Sequence, residues 1–262
     1  MFRNLYNECT IKFILNAESP ISIRSGENLD LDPAMPDNRF IRSMHNGREQ
    51  VVMPGSGIKG VFRSRAEKLL PGCCNVFGND CFRKGNKKEY QDDIKLKYKA
   101  NCPACRLFGS LSLKSRIEFR DAYPEKGSEV VMGTRHNVGI DRVTGSALKG
   151  ALFEPEVLEQ GSFGVEIIIR NYFRWQLKVV CQVISDINEG YVTFGGVTSR
   201  GFGRMSAHNI SFTAREYNGK GQNGFYQEKC FNSLEDISSE LKDVYITKEE
   251  LERTELSHES IL

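Results

Sequence analysis

Five of the chain's eight cysteines fall between Cys73 and Cys105. Cys102-Pro103-Ala104-Cys105 is a C-x-x-C knuckle, and Cys74 with Cys81 can supply two more thiolates for a tetrahedral site. Four thiolates at about 2.3 Å from one Zn²⁺ would close a loop too polar to fold alone, and they leave no open coordination position. That chemistry is structural. Cys73 competes with Cys74 for one place, and a redox C-x-x-C or unrelated free thiols remain as other readings. A disulfide scaffold belongs to much shorter secreted chains, so the clustering points to metal first.

A second group is basic and glycine-bearing. Met53-Pro54-Gly55-Ser56-Gly57-Ile58-Lys59-Gly60 runs into a helical pattern that reaches Leu70. Ser56 reads as its N-cap, and Ile58, Val61, Phe62 and Leu69 recur at helical spacing. Lys59 and Arg63 project from another side, while Arg65 falls within the apolar stripe and needs a carboxylate or phosphate partner. Glycines such as Gly57 allow close approach of a backbone, and the first amides of the helix suit an anion. A capped core helix with a solvated basic face is the plainer alternative. No G-x-x-x-x-G-K-[ST] spacing is present, which excludes a P-loop reading. Later, Gly195-Gly196-Val197-Thr198-Ser199-Arg200-Gly201-Phe202-Gly203-Arg204 lacks the G-x-G-x-x-G fingerprint of dinucleotide sites. Its amides, flanked by Arg200 and Arg204, can meet a phosphate or ribose, or the run is a plain turn.

These residues need elements to position them. Thr10–Leu15 reads as a first strand, followed by a long polar loop of about 19–50 that holds Asp30, Asp32, Asp37 and His45. Loops of that length are functional or disordered. Val51–Met53 suggests a short strand before the helix, and the cysteine insertion occupies about 71–108. Arg116–Asp121 is a second strand, and about 125–162 reads as a projecting hairpin with Ile140, Val143, Leu152 and Phe153. Gly164–Arg170 is the clearest strand, Leu177, Val180, Cys181, Ile184 and Ile187 share one helical face, and a last strand runs toward Phe212. Without insertions the order is strand, helix, strand, strand, helix, strand. That is the split β-α-β order of ferredoxin-like and RNA-recognition folds, an α+β palm with two helices on an antiparallel sheet. Residues 213–262 form an acidic tail with a short helix near Thr247 to Leu256, read as peripheral or flexible.

Composition narrows the class. The chain has 262 residues and a formal net charge of +2. The stretch from about Leu234 is acidic, which leaves the body before it with an excess of about +8 and suits an acidic partner. No apolar run is long enough to span a membrane and no N-terminal signal is visible, so the cytosol is the expected location.

Taken together, the Pro54–Gly60 loop with its Arg-bearing helix and the late Gly-Gly-x-x-x-Arg-Gly-x-Gly-Arg run resemble the RAMP superfamily of type III CRISPR effector complexes. Cys102-Pro103-Ala104-Cys105-Arg106-Leu107-Phe108-Gly109 and Ile140-Asp141-Arg142-Val143-Thr144 are similar to the branch that forms the repeating backbone along the guide RNA. The resemblance covers about Thr10 to Phe212. It implies a palm that grips guide crRNA through Ser56, Gly57, Lys59, Arg63, Arg65, Arg200, Gly201, Gly203 and Arg204, and a thumb that wedges into the guide–target duplex. It also implies copies of itself and other type III effector subunits as partners. In that branch an Asp after the first strand cuts target RNA, and the matching position is Asp37, with Asp30 and Asp32 as the other candidates. A carboxylate there can hold Mg²⁺ or Mn²⁺ and help an RNA 2′-hydroxyl attack in line, leaving a 2′,3′-cyclic phosphate. Two other functions fit the same residues: a purely architectural guide-binding subunit, and a stand-alone ribonuclease that processes guide precursors with His136 as base.

Overall fold

The computed structural model describes residues 4–24, 38–75, 80–85, 87, 93–221 and 224–254. Strand β1 (Asn7–Ala17) alternates buried and accessible positions, with Cys9, Ile11, Phe13 and Leu15 inward. A hairpin follows, β2 (Arg42–His45) and β3 (Arg48–Val51), closed by Asn46 and Gly47 at φ 50° and 75°. Positive φ at both central residues is the turn that matches strand twist, so this part of the loop predicted over 19–50 has regular structure.

Helix α1 (Gly55–Leu69) buries Ile58, Phe62 and Ala66, and Val61 and Leu69 lie at the margin of the core. Ser56 is not its cap: Pro54 occupies that position, and the Gly55 amide donates to Asp121 Oδ1 at 2.8 Å. A carboxylate from a distant strand end has replaced the local hydroxyl, which a linear reading does not reveal. Among the described residues, the insertion contains short helices α2 (Asp80–Gly85), α3 (Ile94–Lys99) and α4 (Pro103–Phe108).

Strands β4 (Ile117–Phe119) and β5 (Tyr123–Pro124) lead to a nested pair of ribbons: β6 (Val131–Thr134) pairs β9 (Glu156–Gln160), and β7 (Asn137–Ile140) pairs β8 (Ala147–Phe153). The second ribbon exposes Val138, Ile140, Val143, Leu148 and Leu152, Val143 at 94%. Then come β10 (Ser162–Arg170), α5 (Arg174–Asn188), β11 (Met205–Glu216), β12 (Gln227–Phe231), α6 (Leu234–Glu240) and α7 (Lys248–Glu252).

The main sheet has the order β12-β11-β1-β10-β4, with β5 also pairing β10, and every pairing is antiparallel. Ile11 sits opposite both Ile167 and Phe212, so β1 is central. Removing the insertions and β12 leaves the ferredoxin-like α+β palm expected from the sequence. The open face carries cross-strand charge pairs, Arg170 with Glu8 at 2.6 Å and Glu118 at 2.8 Å, and Arg120 with Glu166 at 2.9 Å.

The tail departs from expectation. β11 runs past residue 212 to Glu216, and β12 extends the sheet. Ile237, Leu241, Val244 and Leu251 are buried in the common core, so residues up to 254 are built into the fold and not a loose appendage. Trp175, Val179 and Val183 are buried as well as the five apolar residues predicted for one face, so α5 is covered on more than one side. Lys178 Nζ donates to the Val244 carbonyl at 2.6 Å and Arg174 Nη2 to that of Glu240 at 2.5 Å. Thr247 caps α7 through the Glu250 amide at 3.2 Å, as its sequence indicated. Among the described residues no helix is long and apolar enough to cross a membrane.

Candidate nucleic-acid groove and metal centre

Along α1, Gly57, Gly60, Ser64 and Lys68 are exposed and fall on one side at helical spacing, whereas Ser56 is exposed toward Lys59 and a neighbouring depression. A Cβ placed on Gly57 or Gly60 would meet no atom within 4 Å, so this side is open to a bulky ligand. It forms one wall of a groove of about 400 Å³ whose other wall is Tyr191 to Gly195. The far wall is held by close backbone packing: Gly203, at φ +89°, lies so near Phe194 that a Cβ would overlap the Phe194 carbonyl. The groove floor is apolar, with Met53, Ile58 and Phe194, and its rim carries Arg65, Lys68 and Ser64.

The partner required for Arg65 is Asp186 on α5, with Nε to Oδ2 at 2.6 Å. Gln182 Nε2 donates to the other oxygen at 2.8 Å, which fixes the carboxylate. The guanidinium lies 5.4 Å from the ring centroid of Tyr191, a ring 65% exposed at the groove edge. Tyr191 was not picked out from the sequence. An aromatic residue immediately before a Val-Thr-Phe-Gly-Gly run beside basic residues was the available signal.

The two glycine regions meet only in part. Gly57 and Arg65 share the groove with Gly195, while Arg200, Gly201, Gly203 and Arg204 are not among its lining residues. Arg200 leans on the thumb, donating to Asn137 Oδ1 at 3.4 Å and covering the Phe153 ring at 5.4 Å. The Arg204 amide donates to Ser19 Oγ at 2.9 Å. Lys59 stands on the side of α1 toward the cysteine insertion, and burial together with Arg63 lowers its pKa. Arg63 faces the cysteine cluster: Nε donates to Glu67 at 2.8 Å, Nη1 to the Gly109 carbonyl at 3.0 Å and Nη2 to Cys105 Sγ at 3.3 Å. Its expected role on guide phosphate conflicts with these internal partners.

The ligand atoms of Cys74, Cys81, Cys102 and Cys105 lie within 4.8 Å of one another. Cys74 Sγ and Cys105 Sγ are 3.6 Å apart, close to the roughly 3.8 Å edge of a tetrahedron with Zn–S near 2.3 Å. Cys102 caps α4 with Pro103 behind it, which fixes the knuckle. Backbone N–H groups point at the sulfurs, Cys102 N to Cys81 Sγ at 3.1 Å and Cys105 N to Cys102 Sγ at 3.5 Å. Donation from the Cys105 and Cys73 thiols holds the Cys102 pKa far below the ordinary thiol value, while burial pushes Cys81 up to about 12. The donor set and its N–H shell fit a soft divalent cation such as Zn²⁺. The four grouped sulfurs include Cys74 and not Cys73, whose Sγ lies 3.6 Å from the Leu70 carbonyl and beside Cys102.

Asp37, Asp30 and Asp32 lie outside the described residues. The described chain stops at Arg24 and resumes at Asn38, which bridges Pro155 at the thumb base, and Arg24 bridges Phe40. Arg42 and Glu156 tie the β2–β3 hairpin to the same place, Nη1 to Oε2 at 2.9 Å and Nη2 to Oε1 at 2.5 Å. His45 stacks on Tyr123 with centroids 3.9 Å apart. His136 sits on the thumb, 2.7 Å from Glu154 and outside the groove.

No curated protein matches the chain. Among solved structures it is similar to the crystal structure of the Csm3-Csm4 subcomplex in the type III-A CRISPR-Cas interference complex, at 18% identity over 92% of this chain and 98% of that chain, with a TM-score of 0.49. The model of the RAMP superfamily matches residues 14–206, most of the chain's length, and the chain belongs to that superfamily.

Proposed function

We propose that this chain is a guide-RNA-binding backbone subunit of a type III CRISPR ribonucleoprotein that also cleaves the paired target RNA. The observation that carries the binding half is the groove between α1 and Tyr191–Gly195. One wall is stripped to Ser and Gly, so a sugar–phosphate backbone can lie against the helix, and Lys68 and Arg65 stand at its rim. An aromatic ring at the edge suits single-stranded RNA, whose bases are unstacked and available. The thumb supports the second half: an exposed apolar ribbon is suited to wedge against stacked bases.

In this reading Ser56, Gly57, Lys59 and Arg65 meet the guide from α1, and Arg200, Gly201, Gly203 and Arg204 meet it from beside the thumb. Asp37 is the proposed catalytic carboxylate, with Mg²⁺ or Mn²⁺ as the expected cofactor and the cytoplasm as the expected location. The thumb base, where Asn38 returns to the described chain, is where target RNA would be cut. The expected partners are guide crRNA, complementary target RNA, further copies of the chain and other type III subunits.

The test is expression with affinity purification and sequencing of bound RNA. Short RNAs sharing a uniform 5′ sequence are expected. A preparation free of RNA and of any larger assembly would sink the proposal.

A further inference from the structure

We infer that Arg63 is a positioning residue for the cysteine metal centre, and that it is withdrawn from RNA. The positioning role rests on the cysteine cluster alone and is read by zinc and Co²⁺, whereas withdrawal from RNA is read separately by the salt slope.

Arg63 lies on α1, outside the insertion of about 71–108 that supplies all four sulfurs. Its guanidinium nevertheless reaches Cys105 Sγ at 3.3 Å and the Gly109 carbonyl at 3.0 Å. Gly109 is the C-cap of α4 and Cys105 lies within that helix, so one planar fork grips both a ligand and the end of the helix that presents it. Glu67, one helical turn on, holds Nε at 2.8 Å and fixes the plane of the fork. Each of the three side-chain nitrogens therefore donates to a protein atom, and the side chain is about three-quarters covered, at 25% exposure.

The electrostatic reason follows from the donor set. Four thiolates around one divalent cation carry a formal charge of −2, which is costly in a half-buried site unless cationic or N–H donors offset it. Cys81 and Cys102 each accept a backbone N–H, as noted above. Cys105 instead receives a full positive charge, through a charge-assisted bond. Lys59, one turn earlier, is the nearest cation on the same side of α1, and among the described residues it has no such contact with a sulfur. Arg106 adds a longer-range attraction to Cys102 and Cys81, while Arg63, hydrogen-bonded to Cys105, sets the basicity of that sulfur.

The test uses the full chain. Wild type, Arg63→Gln, Arg63→Lys and Glu67→Gln are compared for zinc transfer to a chromophoric chelator and for the sulfur-to-metal charge-transfer band after Co²⁺ substitution. For Arg63→Gln, zinc affinity is expected to fall about 10–100-fold. The Co²⁺ band should move to lower energy, because the sulfur that lost its donor holds its electrons less tightly. Arg63→Lys keeps the charge and should recover part of both effects, whereas Glu67→Gln should leave the band in place. Mere loosening of the α1–α4 contact would lower affinity without moving the band. An unmoved band, zinc affinity equal to wild type, or wild type purified without zinc would each overturn the inference. So would a loss of about one unit in the salt slope of RNA binding for Arg63→Gln, the signature of a phosphate contact.

Discussion

Whether a cation on this surface meets RNA depends on what else it already touches. Lys59 has lost part of its preference for charge to burial and to Arg63, and a phosphate would restore it. Arg204 is exposed and its guanidinium packs loosely past Gly190. Lys59→Ala and Arg204→Ala should each weaken guide binding equally for all sequences and reduce the salt slope by about one, measured by anisotropy over a salt series. Unchanged slopes in both would remove the two-sided grip. Tyr191 offers a different contact, since its ring is largely exposed while Arg65, locked to Asp186, covers part of one face. Replacing it with Ala should cost about 1–3 kcal/mol of single-strand affinity with little change in salt slope, and Tyr191→Phe should be near neutral. An Ala variant that binds like wild type would exclude the ring from the interface. Arg65 shows how far spacing alone can reach: its place in the apolar stripe demanded an anion, and the structure supplies a carboxylate from α5. Periodicity states the need for a partner but not which partner meets it.

Elements were legible in proportion to how local their causes are. β1, α1, β4, β10, α5 and β11 follow from runs of apolar residues at period 2 or 3.6, and so does the order that makes the palm. The Asn46-Gly47 hairpin was equally local, but it lay within a polar stretch read as one loop. What the sequence hid was long-range: Asp121 capping α1, β12 adding an edge to the sheet, and α6 covering the second side of α5. The hairpin also depends on a distant pair. Burial raises the Glu156 carboxyl, but hydrogen bonds from Arg42 and the Phe40 amide outweigh it and hold its pKa below the ordinary carboxylate value. A folded value below the unfolded one means that this contribution is complete above about pH 4.3 and is lost as pH falls through the folded value. Amide exchange at Phe40 and Ile41, corrected for intrinsic rate, should show the hairpin releasing from the thumb base as pH falls below the ordinary carboxylate range, and Glu156→Gln should abolish that pH dependence. A hairpin that stays protected throughout would mean that the Ile41–Val52 and Ile41–Ile23 backbone bonds hold it unaided.

At the scale of the whole molecule, the α1 groove, the four-cysteine cluster and the apolar ribbon all hang on one palm, and each can be altered alone. α1 serves two of them, with an open small-residue side toward the groove and Arg63 toward the cysteines. That separation makes the catalytic proposal testable without disturbing assembly. Asp37 belongs to a polar segment with no apolar periodicity, so Asp37→Ala removes no predicted core contact, and substitutions of that kind change stability by less than about 0.5 kcal/mol. In the proposed reading guide binding would draw on α1 and the glycine run, and target pairing would be set by the guide's own bases. A carboxylate that acts only when RNA lies beside it should affect the chemical step alone. The expected signature is a large fall in single-turnover cleavage of guide-matched RNA, with target affinity and assembly unchanged. Asp30→Ala and Asp32→Ala, assayed in parallel, separate the site from its neighbours. Normal cutting by Asp37→Ala with either neighbour dead would move the catalytic role to that neighbour. If all three variants cut at the normal rate, cleavage is not performed by this segment. If wild type binds guide and target but never cuts with Mg²⁺ or Mn²⁺, the subunit is architectural.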